Sequence, residues 1–178
     1  MEFLKDEDIR LRAVEPKDAG EMWEIESDSR QWYENGMMAP ISYYHLQEYA
    51  SKYDSDPYRS GQIRLIAERW DHQKDDYVTF GIFDLYEISA QRRTAFVGIY
   101  IKENWRNTGV AGRVLNLGED YARRLLNLRI LGAKINATNL ASKNLFENNG
   151  FILSGTLRDW LITGNTTNDL LIYAKHLI

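Results

Sequence analysis

The sequence contains no cysteine. That excludes a disulfide scaffold, a thiolate metal site and a cysteine nucleophile. Histidine is scarce too, with three in the chain. His45, His72 and His176 are scattered without metal-ligand spacing and read as surface or structural residues. Charge of one sign is not in excess: Lys and Arg number 22 against 26 Asp and Glu, a net −4. Bulk basicity of the kind that marks nucleic-acid binding is therefore missing. No apolar run approaches the ~18 residues of a membrane span, and the start, Met1 to Asp8, is too charged for a secretory leader. Internal repeats and low-complexity segments are lacking. A cytoplasmic location is expected, with neither nucleic acid nor membrane as partner.

What is present suits one folded domain. A chain of 178 residues can bury a substantial core and fits one domain spanning 1–178. Ile9 to Val14 alternates apolar and charged residues, a half-buried strand. Pro16 opens a helix to Asp28, where its missing N–H costs nothing, with Ala19, Met22, Trp23 and Glu26 on one face. A second helix covers Tyr43–Tyr53, its Tyr43, Leu46, Tyr49, Ala50 and Tyr53 in helical register. Strands follow at Ile63–Ala67 and Tyr77–Tyr86, with Trp70–Asp76 as a polar turn and Ser89–Arg93 as a hairpin connection. Ala95–Ile101 is nearly continuous apolar sequence, which predicts burial on both faces. After it come a helix, a strand at Ile130–Ala137, a helix at Asn139–Asn148 closed by Asn149-Gly150, and closing strands at Phe151–Leu153 and Leu170–Ala174, with Gly164-Asn165 as a turn between their flanks. The expected architecture is a mixed, mostly antiparallel α/β sheet with helices on both faces.

The stretch "NWRNTGVAGRVL", Asn104 to Leu115, carries the most specific signal. A buried strand runs into a turn and then into an amphipathic helix beginning near Gly112. That helix carries Ala111, Val114, Leu115, Tyr121, Ala122 and Leu125 on one face, with Gly118 among them to allow close approach to a sheet. Unpaired amides and the dipole of a helix start attract anions, glycine lets backbone approach a phosphate, and Arg106 adds a planar cation suited to phosphate. Neither GxxxxGK[ST] nor GxGxxG is present. On its own the stretch is equally a helix start that needs flexible residues.

Arg106-x-x-Gly109-x-Ala111 after the apolar strand resembles the coenzyme A pyrophosphate loop of the GCN5-related N-acetyltransferase (GNAT) superfamily, Gln/Arg-x-x-Gly-x-Gly/Ala. Asn139-Leu140-Ala141-Ser142 followed by Gly150-Phe151 resembles that family's Asn-x-x-Ser helix and its exit. The tail "RDWLITGNTTNDLLIYAKHL" is similar to the closing hairpin of the branch that acetylates ribosomal-protein N-termini and spermidine-like polyamines. The resemblance implies six to seven strands with a splayed central pair, a substrate-side helical segment at 16–60 and an acetyl-CoA core at 96–151. It implies acetyl-CoA as co-substrate and no metal. The amides of Asn107, Thr108, Gly109, Val110, Ala111 and Gly112, with Arg106, would hold the pyrophosphate. Backbone groups of Ile99, Tyr100 and Ile101 would pair with the pantetheine arm, and Asn139, Ser142 and Phe146 would line its other side.

The implied reaction is direct acetyl transfer to a primary amine, of a protein N-terminus or a polyamine-like molecule. Many family members place a tyrosine seven residues after the Asn as acid for the departing thiolate; Phe146 stands there and cannot donate a proton. Ser142, one turn earlier on the same face, is the substitute this resemblance offers, against a local role as a helix-start hydroxyl. Glu87, at the end of the long strand, is the candidate base, with Asp84 as the other carboxylate. Three residues separate the two, which places them on opposite faces of a regular strand, and either could simply pair with Arg92 or Arg93. Glu21, Glu24, Glu26, Asp28 and Glu34 with Trp23, Trp32, Tyr33, Tyr43 and Tyr44 make an acidic, aromatic lobe suited to an ammonium group, or a solvated helix face. Phe146 also leaves room for a non-catalytic acyl-CoA-binding or sensing domain, and the fold for a longer acyl donor. The chain is compatible with a homo-oligomer.

Overall fold

The computed structural model describes residues 3–28, 39–163 and 165–178. The elements are β1 (Lys5–Asp6), β2 (Ile9–Ala13), a 3₁₀ turn (Pro16–Asp18) leading into α1 (Ala19–Glu26), α2 (Tyr43–Ser51), α3 (Pro57–Ser60), β3 (Ile63–Asp71), β4 (Asp76–Ser89), β5 (Thr94–Ile101), a 3₁₀ turn (Glu103–Trp105), α4 (Val110–Arg124), β6 (Ile130–Asn136), α5 (Leu140–Asn148), β7 (Ile152–Thr163) and β8 (Thr166–His176). All strands join one sheet in the order β1-β2-β3-β4-β5-β6-β8-β7. Every neighbouring pair is antiparallel except β5–β6. The eighth strand, beyond the expected six to seven, is the two-residue β1.

Two apolar clusters sit on the two faces. On one, α4 and α5 pack over Phe83, Leu85, Val97, Leu131 and Tyr173. On the other, α1 and α2 pack Met22, Ile25, Leu46 and Ala50 over Ile66 and Ile82. Each fully buried Leu, Ile or Met contributes about 1.5–3 kcal/mol to folding.

Several elements depart from their sequence-based outlines. In α1 the inward residues are Ala19, Met22 and Ile25, whereas Trp23 is exposed. The helix proper starts only after the Pro16 turn, which rotates the stripe away from Trp23. α4 begins at Val110 rather than near Gly112 and ends at Arg124, so Leu125 is exposed and Leu126 takes the inward position. The polar turn after β3 shrinks to residues 72–75 because strand pairing persists through Trp70↔Tyr77 and Asp71↔Asp76. β7 and β8 run far longer than Phe151–Leu153 and Leu170–Ala174, since cross-strand pairing carries their polar residues too. The Gly164 of the predicted turn lies outside the described residues.

β5 is not buried on both faces. Ala95, Val97 and Ile101 are buried, but Phe96, Gly98, Ile99 and Tyr100 are half-buried. The reason is topological: β6 follows β5 only briefly, and on the second face α1 and α2 bury residues of β3 and β4 while reaching β5 only at Tyr100.

The charged residues of β2 are tied inward. Arg12 donates to Asp18 Oδ2 at 2.7 Å and Oδ1 at 2.8 Å and to Glu68 Oε1 at 2.9 Å, while Arg10 reaches Glu68 Oε2 at 2.8 Å. Asp18 and Glu68 are buried, and charges out of water persist where they are paired and hydrogen-bonded.

Candidate active site

The two strands at the middle of the sheet part company. β5 and β6 share pairing over Thr94–Phe96 with Ile130–Gly132, and from Val97 to Ile101 β5 pairs with β4 alone. A strand edge without a partner presents backbone donors and acceptors to whatever lies beside it. β6 meanwhile turns to β8, with which it pairs along its whole length. The result is a slot between β5 and β6, closed at Phe96 and opening toward Ile101.

At the open end stands the glycine turn. Asn107 has φ +60° and Gly109 φ +84°, left-handed conformations that alternate with ordinary ones and turn successive amides to one side, a geometry that suits anions. Open space surrounds the Gly109 α-carbon, so glycine is required there by backbone conformation rather than by crowding. Gly109 is also the N-cap of α4 and supplies no side-chain cap. The first-turn amides of Val110, Ala111 and Gly112 thus lack a side-chain partner. Arg106 is exposed; its Nε donates to the Ile101 carbonyl at 3.0 Å, which holds it at the end of β5. Thr108 Oγ1 donates to the Trp105 carbonyl at 2.7 Å and tightens the turn.

The second motif packs beside the first. A β-carbon on Gly112 would touch the Asn149 side chain at 3.7 Å, which brings the start of α4 against the end of α5. Asn139 is the N-cap of α5, its Oδ1 accepting from the Ser142 amide at 3.0 Å. Ser142 is half-buried, and its hydroxyl makes no hydrogen bond among the described residues. Capping falls to Asn139, and the Ser142 hydroxyl is left for something else. Phe146 is buried, edge-on to Phe151 with ring centroids 4.9 Å apart, as part of the main core.

On the other face an open cleft of about 470 Å³ lies between α2, β3 and β4, lined by Glu26, Tyr49, Arg64, Asp84 and Tyr86 among others. Arg64 and Asp84 are cross-strand partners and form a two-pronged pair, Nε–Oδ1 2.9 Å and Nη2–Oδ2 2.9 Å. The third arm of Arg64 reaches Glu26 at the end of α1. Burial alone would lower the Arg64 pKa, but Asp84 and Glu26 outweigh it and raise the value. Burial, reinforced by the charges of Glu87 and Asp84, pushes the Tyr86 hydroxyl up to about 12. Asp84 also pairs across to Gly98 on β5, whose absent side chain leaves its β-carbon position 3.7 Å from Asp84 Cβ. Gly98 is the second residue of β5 beyond the split, so Asp84 stands where cleft and slot meet.

Glu87 is placed differently. The register shifts between Tyr86 and Ser89, and Glu87 adopts φ +52° in the resulting irregularity, which breaks the alternation a three-residue spacing assumes. Its side chain is 57% exposed and pairs with Lys134 of β6 at 2.5 Å. The Lys134 ammonium also lies 4.3 Å from the Phe96 ring centroid, so this ion pair spans the closed end of the slot. Neither carboxylate pairs with Arg92 or Arg93; Arg93 binds the Asn127 carbonyl instead at 2.8 Å.

The acidic lobe is less open than its composition implies. Glu21 pairs with Lys102 and Glu26 with Arg64. Trp23, Tyr43 and Tyr44 are exposed, the first two edge to face at 6.3 Å. Trp32, Tyr33 and Glu34 lie outside the described residues. Sequence reading missed Arg64, Tyr86 and Lys134 because strand register and bulge geometry bring them to the site, and Tyr49 because the packing of α2 over the sheet does.

Three comparisons bear on this geometry. The family described as acetyltransferase (GNAT) domain matches residues 8–152. A probable N-acetyltransferase of Bacillus subtilis (strain 168), YjcK, is 27% identical over 169 residues, covering 88% of this chain and 87% of that protein. Among solved structures, the spermidine N-acetyltransferase of Vibrio cholerae in complex with CoA and spermine superposes with a TM-score of 0.80 at 22% identity, covering 97% of each chain. A dodecameric structure of a V. cholerae spermidine N-acetyltransferase gives 0.79 at 22% identity, over 97% of this chain and 95% of that one. These structural likenesses establish the fold. The match across most of the chain establishes its kinship: the protein belongs to the GNAT family and is an N-acetyltransferase.

Proposed function

We propose that the protein moves an acetyl group from acetyl-CoA directly to a primary amine. The observation that carries this reading is the slot itself: uncapped amides at its open end and, through Gly98, a carboxylate-lined cleft at its inner end. The residues present fit the donor. The amides of Asn107 to Gly112 and the cation of Arg106 suit a pyrophosphate. The unpaired edge at Ile99, Tyr100 and Ile101 suits the amides of a pantetheine arm, as an added strand would. Asn139 and Ser142 offer polar groups on the α5 side, with Phe146 packed in the core beneath them. When bound, acetyl-CoA supplies an activated acetyl thioester.

The chain then has four tasks. Asp84 receives the ammonium of the acceptor at the junction of cleft and slot and fixes its approach, the positioning part of the rate. Backbone N–H groups on the β5 edge stabilise charge on the acyl oxygen. The Ser142 hydroxyl, without a hydrogen bond among the described residues, gives one to the departing thiolate in place of the acid that Phe146 cannot be. Glu87, at the rim of β4, accepts the amine's proton once its Lys134 pair opens. Isothermal titration with acetyl-CoA tests the donor site; an absence of binding at tens of micromolar overturns it. For the carboxylates, Asp84→Asn is expected to raise the acceptor KM and Glu87→Gln to lower kcat and flatten its pH profile. Unchanged kinetics in both remove these roles.

The reading extends to assembly. A V. cholerae relative in fold is dodecameric, and here the outermost strand β7 leaves Ile152, Trp160 and Ile162 mostly exposed. We infer homo-oligomerisation across that edge; light scattering showing a monomer at working concentration excludes it.

A further inference from the structure

Resting on the acceptor reading above, we infer that the amine carries a single ammonium on an apolar or aromatic body, and that Arg64 selects against a second positive charge beside it. Among the described residues lining the cleft, the acids are Glu26 and Asp84 and the one Lys or Arg is Arg64. With histidine neutral, two negative charges and one positive leave −1, which balances one ammonium. Arg64 cannot be displaced as a neutral group, because a guanidinium stays charged and its two carboxylates raise its pKa further. It grips both Asp84 oxygens, yet each keeps lone-pair capacity, so Asp84 can accept from an ammonium while still paired. A second ammonium in the same cleft faces the guanidinium, and like charges in a partly dry site repel.

The other acids of α1 supply no second subsite there. Glu21 is engaged by Lys102. Glu24 is exposed and does not line the cleft. The remaining described walls are mostly apolar and suit an apolar body: Ile41, Leu46, Ile63 and Leu85 with the rings of Tyr49 and Tyr86, against the polar Gln62 and His45. Two sources present this chemistry, a small arylalkyl or alkyl monoamine and a peptide N-terminus with an apolar first side chain. Both put one cation at the head of an apolar group.

The test compares acceptors that differ in one charge. Release of free CoA thiol is followed with hexylamine, 1,6-diaminohexane, phenethylamine, spermidine and a neutral-tailed tripeptide beginning with Phe. Hexylamine is expected to exceed 1,6-diaminohexane in kcat/KM by at least tenfold, the difference lying in KM. The better of phenethylamine and the tripeptide identifies the source. Arg64→Gln changes the lining from −1 to −2 and is expected to move the hexylamine-to-diamine ratio at least tenfold toward the diamine, with acetyl-CoA affinity unchanged by calorimetry. Should that variant fail to fold, Glu26→Gln changes the lining from −1 to 0 and is expected to move the ratio the other way. A diamine or spermidine preference in the native protein, or a ratio that neither variant moves, overturns the inference and leaves the transferase reading standing. Donor binding without turnover on any of the five amines overturns the transferase reading itself, and the inference with it.

Discussion

Replacing Gly118 by alanine adds a methyl group where the structure has no room. Gly118 sits on the buried face of α4, and a β-carbon there would lie 2.0, 2.2 and 2.7 Å from three ring atoms of Phe83. Phe83 is fully buried on β4, so its ring has nowhere to retreat. Two effects oppose each other. Alanine in place of glycine within a helix is worth about 1 kcal/mol in its favour. Overpacking a filled core costs about 1–3 kcal/mol, and the depth of this overlap puts the cost at the upper end. The expected net is a loss of about 1–2 kcal/mol, or roughly 2–8 °C in Tm for a chain of this size. Because α4 begins at the glycine turn, lifting it from the sheet also moves the first-turn amides and should weaken acetyl-CoA binding. Urea unfolding and thermal scans measure the first effect, calorimetry the second. Phe83→Leu in the same background isolates the cause: the double variant should be less destabilised than the two single changes added together, a coupling expected only of groups in contact. A Gly118→Ala protein more stable than its parent, or strict additivity with Phe83→Leu, would refute the reasoning.

Other outcomes follow from single groups. Ser142→Ala should lower kcat by about 100-fold, the lower range for a lost proton donor, with the acetyl-CoA KM nearly unchanged; intact turnover removes Ser142 from the chemistry. Arg106→Ala should weaken acetyl-CoA roughly tenfold or more, as expected of a lost charged hydrogen bond, with a dephospho donor, which keeps the pyrophosphate, losing as much and a donor without the pyrophosphate losing less; equal losses with and without the pyrophosphate would refute that role. Asp18 controls acid stability. Burial pushes its carboxyl up, but hydrogen bonds from Arg12 and from the Glu15 amide outweigh that and hold it below the ordinary 3.8. A folded value below the unfolded one gives stability that is present above pH 3.8 and lost as pH falls through the folded value. Arg12 keeps Glu68, so Asp18→Asn should cost about 1.5–3 kcal/mol near neutrality, the range for lost hydrogen bonds to a charged group, and flatten the acid limb of a pH–stability curve; an unchanged acid limb would refute it.

The turn and helix start proposed for the donor were legible because their signals are local. A left-handed turn needs glycine or asparagine within a few residues, and Asn107 and Gly109 supply both. The inward stripe of α4 repeats with helical period, so Val114, Leu115, Gly118 and Ala122 could be placed on one face before any fold was known. Leu125 failed for the same reason: periodicity continues on paper past Arg124, where the backbone stops being helical. The splay of β5 from β6 was expected from resemblance, and no pattern within Val97–Ile101 encodes where a neighbouring strand will leave.

The acceptor half was less legible because it depends on register. Arg64 reads in sequence as the polar member of an alternating strand, and nothing within β3 says that Asp84, twenty residues on, is its cross-strand partner. Glu87 and Asp84 differ by three positions, so a regular strand would put them on opposite faces. The irregularity at Tyr86–Ser89, with Glu87 at φ +52°, decides otherwise. Such a bulge costs backbone strain and re-aims a side chain; here it delivers Glu87 to Lys134 at the closed end of the slot and leaves Asp84 beside Gly98 at the junction. An acidic count over α1 therefore overstated the pull on a cationic acceptor. Nothing in the sequence near Glu21 and Glu26 marks them as paired, yet each meets a cation distant in the chain, Lys102 just past β5 and Arg64 on β3. Under the proposed reading, the amine answers to the one negative charge left in the cleft after Arg64 pairs, so its choice is expected to depend on the cation of β3 as much as on the acids of α1.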